Sequence, residues 1–265
     1  MSNLTYFGRV WQIFLYNRLA LLHGAENTLI IAFVGTVVGC LIGFAVGLVK
    51  TIPIAKNSSP VKKALLRVVN VILTVYVEIF RGTPMMAQAA FLYFGCVAAF
   101  HYTPGMLPAA FFIVSINTGA YMAETVRGGI LSIDPGQTEG AKAIGMTHYQ
   151  TMTSVILPQA LRNIMPQIGN NLIINIKDTS VLGMIGTVEL MFASKSVAGA
   201  NYRFFETYTI TMVMYLIMTL FFSRLLRVIE KKMDGNKSYD LATHDTLAHT
   251  SGMYSYTNNN EVRGR

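Results

Sequence analysis

The feature that most limits the folds open to this chain is a run of 22 residues, Thr28 to Val49, without a charged side chain. A helix of that length crosses the roughly 30 Å hydrocarbon core of a bilayer. The composition agrees, because only 13% of the residues are charged, whereas soluble domains carry about 25%. The sequence therefore predicts a chain whose main solvent is the lipid bilayer.

Four further stretches are apolar enough to lie in the membrane, at about residues 66–99, 107–126, 168–188 and 208–228. The first of these is too long for one plain crossing, and Gly82 and Pro84 interrupt its helical pattern. We therefore expect an all-α membrane protein with about five transmembrane helices.

Basic residues predict the orientation. Segments 50–67, 127–162 and 223–265 hold 15 of the 21 Lys and Arg residues, and cytoplasmic loops are enriched in these residues. All three segments fall on one side in a five-span protein, so this side is predicted to be cytoplasmic and the N-terminus to lie outside. The same clustering beside apolar runs argues against nucleic acid as the reason for the net charge of +8.

The chain divides into three predicted parts. Residues 1–26 contain Trp11 and read as an amphipathic extracytoplasmic segment at the membrane surface. Residues 27–232 form the transmembrane domain, and residues 233–265 form a polar, disordered cytoplasmic tail.

The first span carries a stripe of glycines for helix packing. Gly35, Gly39, Gly43 and Gly47 recur every four residues, so they share one helix face and allow another helix to approach closely. The partner helix is expected either within the same subunit or across a subunit interface.

A polar loop at about residues 132–162 carries two sets of helix-start signals. Asp134 precedes Pro135 as an N-cap, Gly145 suits a left-handed stop, and Thr147 with Gln150 forms a capping box. The first short helix should run from Pro135 to about Ile144, and Pro158 should end or reset the second helix. Two capped helices outside the membrane are suited to docking another protein.

This loop resembles the EAA loop of ABC-importer permeases. The shared pattern is Glu139-Gly140-Ala141, three residues, Gly145, nine residues and Val155-Ile156-Leu157-Pro158; Gly140 replaces the usual Ala, and Val155 the usual Ile. The segments YVEIFRGTPMMAQAAFLYFG, AYMAETVRGGILSIDPGQTEGAKAIG and NIKDTSVLGMIGTVELM are also similar to the polar amino-acid permease group. The resemblance covers about residues 24 to 232.

The resemblance implies a multisubunit importer in the cytoplasmic membrane of a prokaryote. Its partners would be a second permease subunit, identical or a sister chain, two cytoplasmic ATPase subunits and an extracytoplasmic solute-binding protein. The chain has no G-x-x-x-x-G-K-[ST] phosphate loop, so ATP would be bound by the partner and no cofactor by this chain. The residues implied to couple to the ATPase are Glu139, Gly140, Ala141, Gly145, Leu157 and Pro158.

Charged residues inside the spans are candidates for the amino-acid path, because charges in a membrane are costly and usually functional or paired. Arg81 lies three residues after Glu78, so these two could instead pair on one helix face. Neighbours such as Lys177 and Asp178 must point in different directions. The candidate path residues are Glu78, Arg81, Glu124, Lys177 and Asp178.

Other functions stay open beside the ABC amino-acid permease. The chain could serve an ABC importer of another small polar solute, or be a secondary transporter that uses an ion gradient. A membrane-embedded enzyme is the third class, but no catalytic or metal-binding motif is present in the sequence.

Overall fold

The computed structural model describes residues 5–52 and 59–233, and this part of the chain is helical almost throughout, without a β-strand. The predicted all-α fold is confirmed. The predicted tail at 233–265 lies outside the described residues except for Met233, the last residue of a helix. The helices are α1 (Tyr6–Lys50), α2 (Pro60–Gly82), α3 (Met85–Phe100), α4 (Met106–Leu131), α5 (Pro135–Ala143), α6 (His148–Thr151), α7 (Leu157–Asp178), α8 (Leu190–Asn201) and α9 (Phe204–Met233).

Helix α1 joins two segments that the sequence analysis separated. It runs 45 residues without a break, about 68 Å at 1.5 Å per residue, so the predicted boundary at residues 26–27 falls inside it. One face of its first half packs inside the protein, because Leu21 and Ala25 are buried in a core cluster with Leu190 and Ile210. Packing against α8 and α9 therefore stabilises α1 as one continuous helix across the predicted boundary at residues 26–27.

The glycine stripe of α1 packs against α4 of the same chain. An added Cβ on Gly39 would lie 2.6 Å from Thr118 Cβ, inside normal contact distance. Each of the four glycines contacts the α4 residue 79 positions later in the sequence, so α1 and α4 run parallel. The chain between them must therefore cross back to the starting end of the bundle. The contacts pair Gly35 with Val114, Gly39 with Thr118, Gly43 with Met122, and Gly47 with Val126.

The number of spans differs from the expectation in one place. Three helices are long and apolar enough to cross a membrane: α1, α4 and α9; the run His148–Ile185 with α8 adds a fourth, bent by 56°. The predicted span at 66–99 is divided into α2 and α3 by a break at Thr83–Pro84. By length and composition neither piece qualifies alone, since α2 carries charges and α3 has only 16 residues.

One end of the bundle gathers the segments predicted to be cytoplasmic. Helix α7 runs antiparallel to α4, because Gly129 approaches Ile164 while Thr118 bonds to Asn175 further along. Lys50 ends α1 and contacts Glu124 near the end of α4, and α2 starts ten residues after Lys50. The described parts of segments 50–67 and 127–162 therefore lie at the same end, as the charge pattern predicts. The compact unit ends at Leu226, and residues from Arg227 onward form a second unit.

Gly39→Ala should lower the melting temperature of the detergent-purified protein, because the added methyl group overpacks the α1–α4 contact at a cost of about 1–3 kcal/mol. Gly128→Ala is the matched control, since this glycine of α4 has no atom within 4 Å of an added Cβ. Equal melting temperatures for the two variants would contradict the assigned packing.

Cysteine labelling tests the orientation in a background where Cys40 and Cys96 are replaced by Ala. Lys142→Cys, in the loop, should be protected from an impermeant thiol reagent in intact cells and react after permeabilisation. Ala200→Cys, exposed at the end of α8, should react in intact cells. The reverse pattern would invert the topology.

Candidate coupling loop and solute path

The first loop helix, α5, begins and ends as the sequence predicts. The Asp134 carboxylate accepts a 2.7 Å hydrogen bond from the Gly136 N–H. At the other end the Met146 N–H donates to the Ala141 carbonyl at 3.0 Å, and the Gly145 N–H donates to the Lys142 carbonyl at 3.0 Å. These two bonds form a Schellman motif with Gly145 in the left-handed region, at φ +82°. The tight stop needs glycine at this position.

The second loop helix is capped as expected but does not stop at Pro158. The Thr147 side chain accepts from the Gln150 N–H, and the Gln150 side chain accepts from the Thr147 N–H at 2.9 Å. Helix α6 then passes through a π-helical turn, Met152–Ile156, into α7. Pro158 lies in the first turn of α7, where the missing N–H costs little. The proline resets the helix instead of ending it.

The predicted coupling residues divide between an outer and an inner face. Glu139, Gly140 and Gly145 are exposed, and an added Cβ on Gly140 would meet open space. Ala141 is buried, and Leu157 is half-buried. The side chains of Ile144 and Tyr149 are 79% and 75% exposed, which is unusual for large apolar groups outside lipid and typical of docking surfaces.

A buried cluster joins the loop to the membrane helices. Ile156, at the end of the π-helical turn, packs with Ile164 of α7 and with Val126 and Ile130 of α4. Leu157 packs against this cluster. The loop is therefore fixed to α4 on one side and continuous with α7 on the other.

A polar cavity of about 320 Å³ lies between α3, α4 and α7. Its wall includes Asp178, one of the predicted path residues, together with Asn117, Thr118, Tyr121 and Asn171. Small-molecule sites begin at about 300 Å³, so the cavity has room for a small solute. Asp178 supplies a carboxylate to a wall that combines amides and hydroxyls with the apolar side chains of Pro84, Met85 and Ile174.

Buried amides that the sequence analysis missed shape this cavity. The Asn117 side chain donates to Gln88 at 2.8 Å, and Gln88 donates to the carbonyls of Phe80 and Thr83 at 2.9 Å each. Gln88 thereby satisfies backbone groups freed by the α2–α3 break, which must find partners inside a membrane. Gln88 and Asn117 are amide residues within apolar segments of the sequence, and this feature could have identified them.

A second amide network crosses three helices beside the same cavity. Asn175 of α7 donates to Thr36 of α1 at 2.8 Å and to Thr118 of α4 at 3.0 Å. Asn175 and Thr118 both line the cavity wall. The network therefore fixes the wall to the parallel α1–α4 pair.

Arg81 and Glu78 do not form the ion pair that the sequence analysis left open as an alternative. Among the described residues neither has an ion-pair partner, and both are exposed. The Arg81 guanidinium lies 5.8 Å from the centroid of the Tyr121 ring, and Tyr121 lines the Asp178 cavity. Arg81 is thus placed at the margin of the cavity, whereas Glu78 has no contact that links it to a site.

Lys177 points away from Asp178, as their adjacency predicts. It lines a different cavity, of about 560 Å³, with Ser180, Tyr208 and Tyr215. Tyr215 donates to the fully buried carboxylate of Glu189 at 2.9 Å. Glu189 was missed by the sequence analysis; it caps α8, accepting from the Met191 and Phe192 N–H groups at 2.8 and 2.7 Å.

Glu124, another of the predicted path residues, lies between two basic side chains. It lines neither the Asp178 cavity nor the Lys177 cavity. Its two carboxylate oxygens instead accept from Lys50 at 2.8 Å and from Arg127 at 2.9 Å. The spacing Glu124-x-x-Arg127 could have indicated half of this arrangement, whereas the contact with Lys50 depends on how α1 packs.

These features define the class of protein. A helical membrane chain with an exposed, capped loop and a partly polar cavity between its helices has the features of a membrane transport protein. Within residues 5–52 and 59–233 no group of His, Cys, Asp or Glu is arranged to hold a metal ion.

Comparisons with known proteins identify the family. Residues 61–235 match the binding-protein-dependent transport system inner membrane component. The chain belongs to this family of multi-pass membrane proteins, and the resemblance found in the sequence is confirmed.

The relatives are bacterial permeases. The glutamine transport system permease protein GlnP of Escherichia coli is 37% identical over 214 residues, 80% of this chain and 92% of that protein. The probable amino-acid permease protein YxeN of Bacillus subtilis is 35% identical over 182 residues, 68% of this chain and 78% of that protein. A crystal structure of an amino acid ABC transporter with histidines has a TM-score of 0.73 at 32% identity, covering 87% of this chain and 99% of that one.

Asp178→Asn should reduce solute uptake roughly 10- to 100-fold, because a hydrogen bond to a charged group contributes about 1.5–3 kcal/mol. The side chain keeps its size, so the amount of protein in the membrane should not change. Glu78→Gln is the control, since Glu78 lines no cavity, and its uptake should stay normal. Normal uptake by Asp178→Asn would remove this cavity from the path.

Proposed function

We propose that this chain is the permease subunit of an ATP-driven importer of a polar amino acid in the bacterial cytoplasmic membrane. It works with a second permease subunit, two cytoplasmic ATPase subunits and an extracytoplasmic solute-binding protein. Two relatives named for glutamine or amino-acid transport support the solute class.

The observation that carries the proposal is the construction of the loop at 132–162. Both helices are capped, Gly145 makes a tight stop, and a buried cluster fixes the loop to α4. Exposed Glu139, Ile144 and Tyr149 offer a mixed surface to a partner. Such a rigid element can pass on the movement of an ATPase, and a transporter driven by an ion gradient would have no use for it.

One face of α7 supports a second permease subunit. Asn163, Gln167, Asn170 and Lys177 are all exposed, and at 100° per residue they fall within about 80° of the helix circumference. Amide and ammonium groups do not face lipid without cost. This stripe requires a water-filled path, and a second permease subunit across the path closes it from lipid.

The chemistry of the Asp178 cavity supports an amino acid as solute. An amino acid carries an ammonium group, which the Asp178 carboxylate can bind. It also carries a carboxylate, for which Arg81 at the cavity margin supplies a cation. Amides and hydroxyls of Asn117 and Thr118 suit a polar side chain.

Gly145→Ala should weaken the coupling of ATP hydrolysis to transport. A non-glycine residue at φ +82° costs about 1–2 kcal/mol, and the strain falls on a loop that lies outside the membrane core. The complex, purified through a tag on this chain and reconstituted with its binding protein, should show less solute-stimulated ATP hydrolysis. Gly140→Ala makes the same chemical change in a helical, open position, and its hydrolysis should be normal.

Glu139→Lys should weaken the same contact through charge reversal. Glu139 is exposed, so the substitution should leave the melting temperature of the isolated chain unchanged. The measurement is the amount of ATPase subunit that co-purifies with the tagged chain. If Glu139→Lys and Gly145→Ala both retain the ATPase and its stimulation, the loop is not the coupling element.

A further inference from the structure

Three charged side chains form a cluster where α1 ends beside α4. One carboxylate oxygen of Glu124 accepts from Lys50 Nζ at 2.8 Å, and the other accepts from Nε and Nη2 of Arg127 at 3.0 and 2.9 Å. The side chains of Lys50 and Glu124 are only 13% and 20% exposed. Both oxygens are therefore occupied in a fixed arrangement. We call this group the Lys50–Glu124–Arg127 tie.

The tie lies between the loop and the remainder of the helix bundle. Lys50 is the last residue of α1, and Glu124 stands about two turns before the end of α4 at Leu131. Only residues 132–134 separate α4 from α5. A displacement of α5 therefore reaches α4 through its last two turns, beside the second route along α7.

Apolar packing and the tie act together at this end of α4, where Phe44 and Leu48 of α1 pack against the buried cluster of Val126 and Ile130. The glycine stripe joins α1 to α4 as far as Gly47 and Val126, and α1 ends three residues later. The tie adds to this packing: it connects the last residue of α1 to Glu124, two positions before Val126, through charge-assisted hydrogen bonds, which are the stronger kind. Without the tie, only apolar contacts would make the last turn of α1 follow a displacement of α4.

We infer that Glu124 is a positioning residue for energy coupling, which ties the end of α1 to α4 so that displacement of the loop moves both helices as one body. The inference rests on the proposed function, because coupling requires an ATPase partner. It also accounts for a charge within a span that lines no cavity. Coupling between sites is carried by such rigid, connected elements.

The chain contains a matched control cluster away from the loop. Glu206, in the first turn of α9, accepts from Arg9 at 3.0 Å and from Arg203 at 3.2 Å. Its side chain is 12% exposed. One carboxylate and two arginines thus repeat the chemistry of the tie between α1 and α9, near the opposite end of α1.

The test compares Glu124→Gln with Glu206→Gln in the full complex, purified through a tag on this chain and reconstituted in liposomes with its binding protein. Each is measured for ATP hydrolysis without solute, L-glutamine transported per ATP, and melting temperature. Glu124→Gln should raise solute-independent hydrolysis and lower transport per ATP, each about two- to tenfold. Glu206→Gln should lower the melting temperature comparably and leave both rates normal. Lys50→Met added to Glu124→Gln should cause little further change, since both remove one interaction.

The outcomes separate this inference from the proposed function. If the unaltered complex contains no ATP-hydrolysing subunit, the proposed function is wrong and the inference with it. If the unaltered complex hydrolyses ATP and Glu124→Gln keeps the same solute-independent rate, the inference alone is overturned. The inference is also overturned if Glu124→Gln lowers transport per ATP only in proportion to its melting temperature. An equal change of transport per ATP in Glu206→Gln has the same meaning, because Glu124 would then contribute to stability alone.

Discussion

The contact between α1 and α4 is the interaction on which the rest of the structure depends. Four glycines remove side chains from one face of α1, so that Val114, Thr118, Met122 and Val126 can enter. Inside a bilayer there is no hydrophobic drive between helices, and close packing of small residues takes its place. The parallel α1–α4 pair supports the rest of the bundle. Helix α7 lies antiparallel to α4, and its Asn175 donates hydrogen bonds to Thr36 of α1 and Thr118 of α4. The loop extends from the end of α4.

Departures from regular helix occur where backbone polar groups have specific partners. At the α2–α3 break, the Gln88 side-chain amide donates hydrogen bonds to two backbone carbonyls that have lost their helical partners. At the bend before α8, Asn27 donates to the Val188 carbonyl at 2.8 Å, and Glu189 receives two N–H groups. Backbone at membrane depth must be satisfied by protein or by water in a cavity. Irregular backbone and the Asp178 cavity therefore occur together, since the break at Thr83–Pro84 forms part of the cavity wall.

The sequence predicted what short-range chemistry decides. The Asp134 cap, the Gly145 stop and the Thr147 capping box depend on residues within four positions of each other, and all three are confirmed. The glycine spacing predicted a packing face but could not name α4 as its partner. The contacts of Glu124 could not be predicted for the same reason: a charge in an apolar helix is recognisable in sequence, whereas a partner 74 positions away depends on how the helices pack. Continuity of α1 was missed because Leu21 is buried by α8 and α9, which no local pattern reveals.

Helix α7 connects the two functional regions directly. The chain stays helical from His148 in the loop to Ile185, beyond Asp178, so about 45 Å separates the loop from the cavity carboxylate along one helical run. Pro166 lies inside α7, where it removes a backbone hydrogen bond that would otherwise stiffen the helix. The ties to α4, through Ile156 and Ile164 below and Asn175 above, compensate by holding α7 along its length. Movement of the loop can thus reach Asp178 by two routes that end at the same cavity wall: along α7 itself, and through α4 to Thr118.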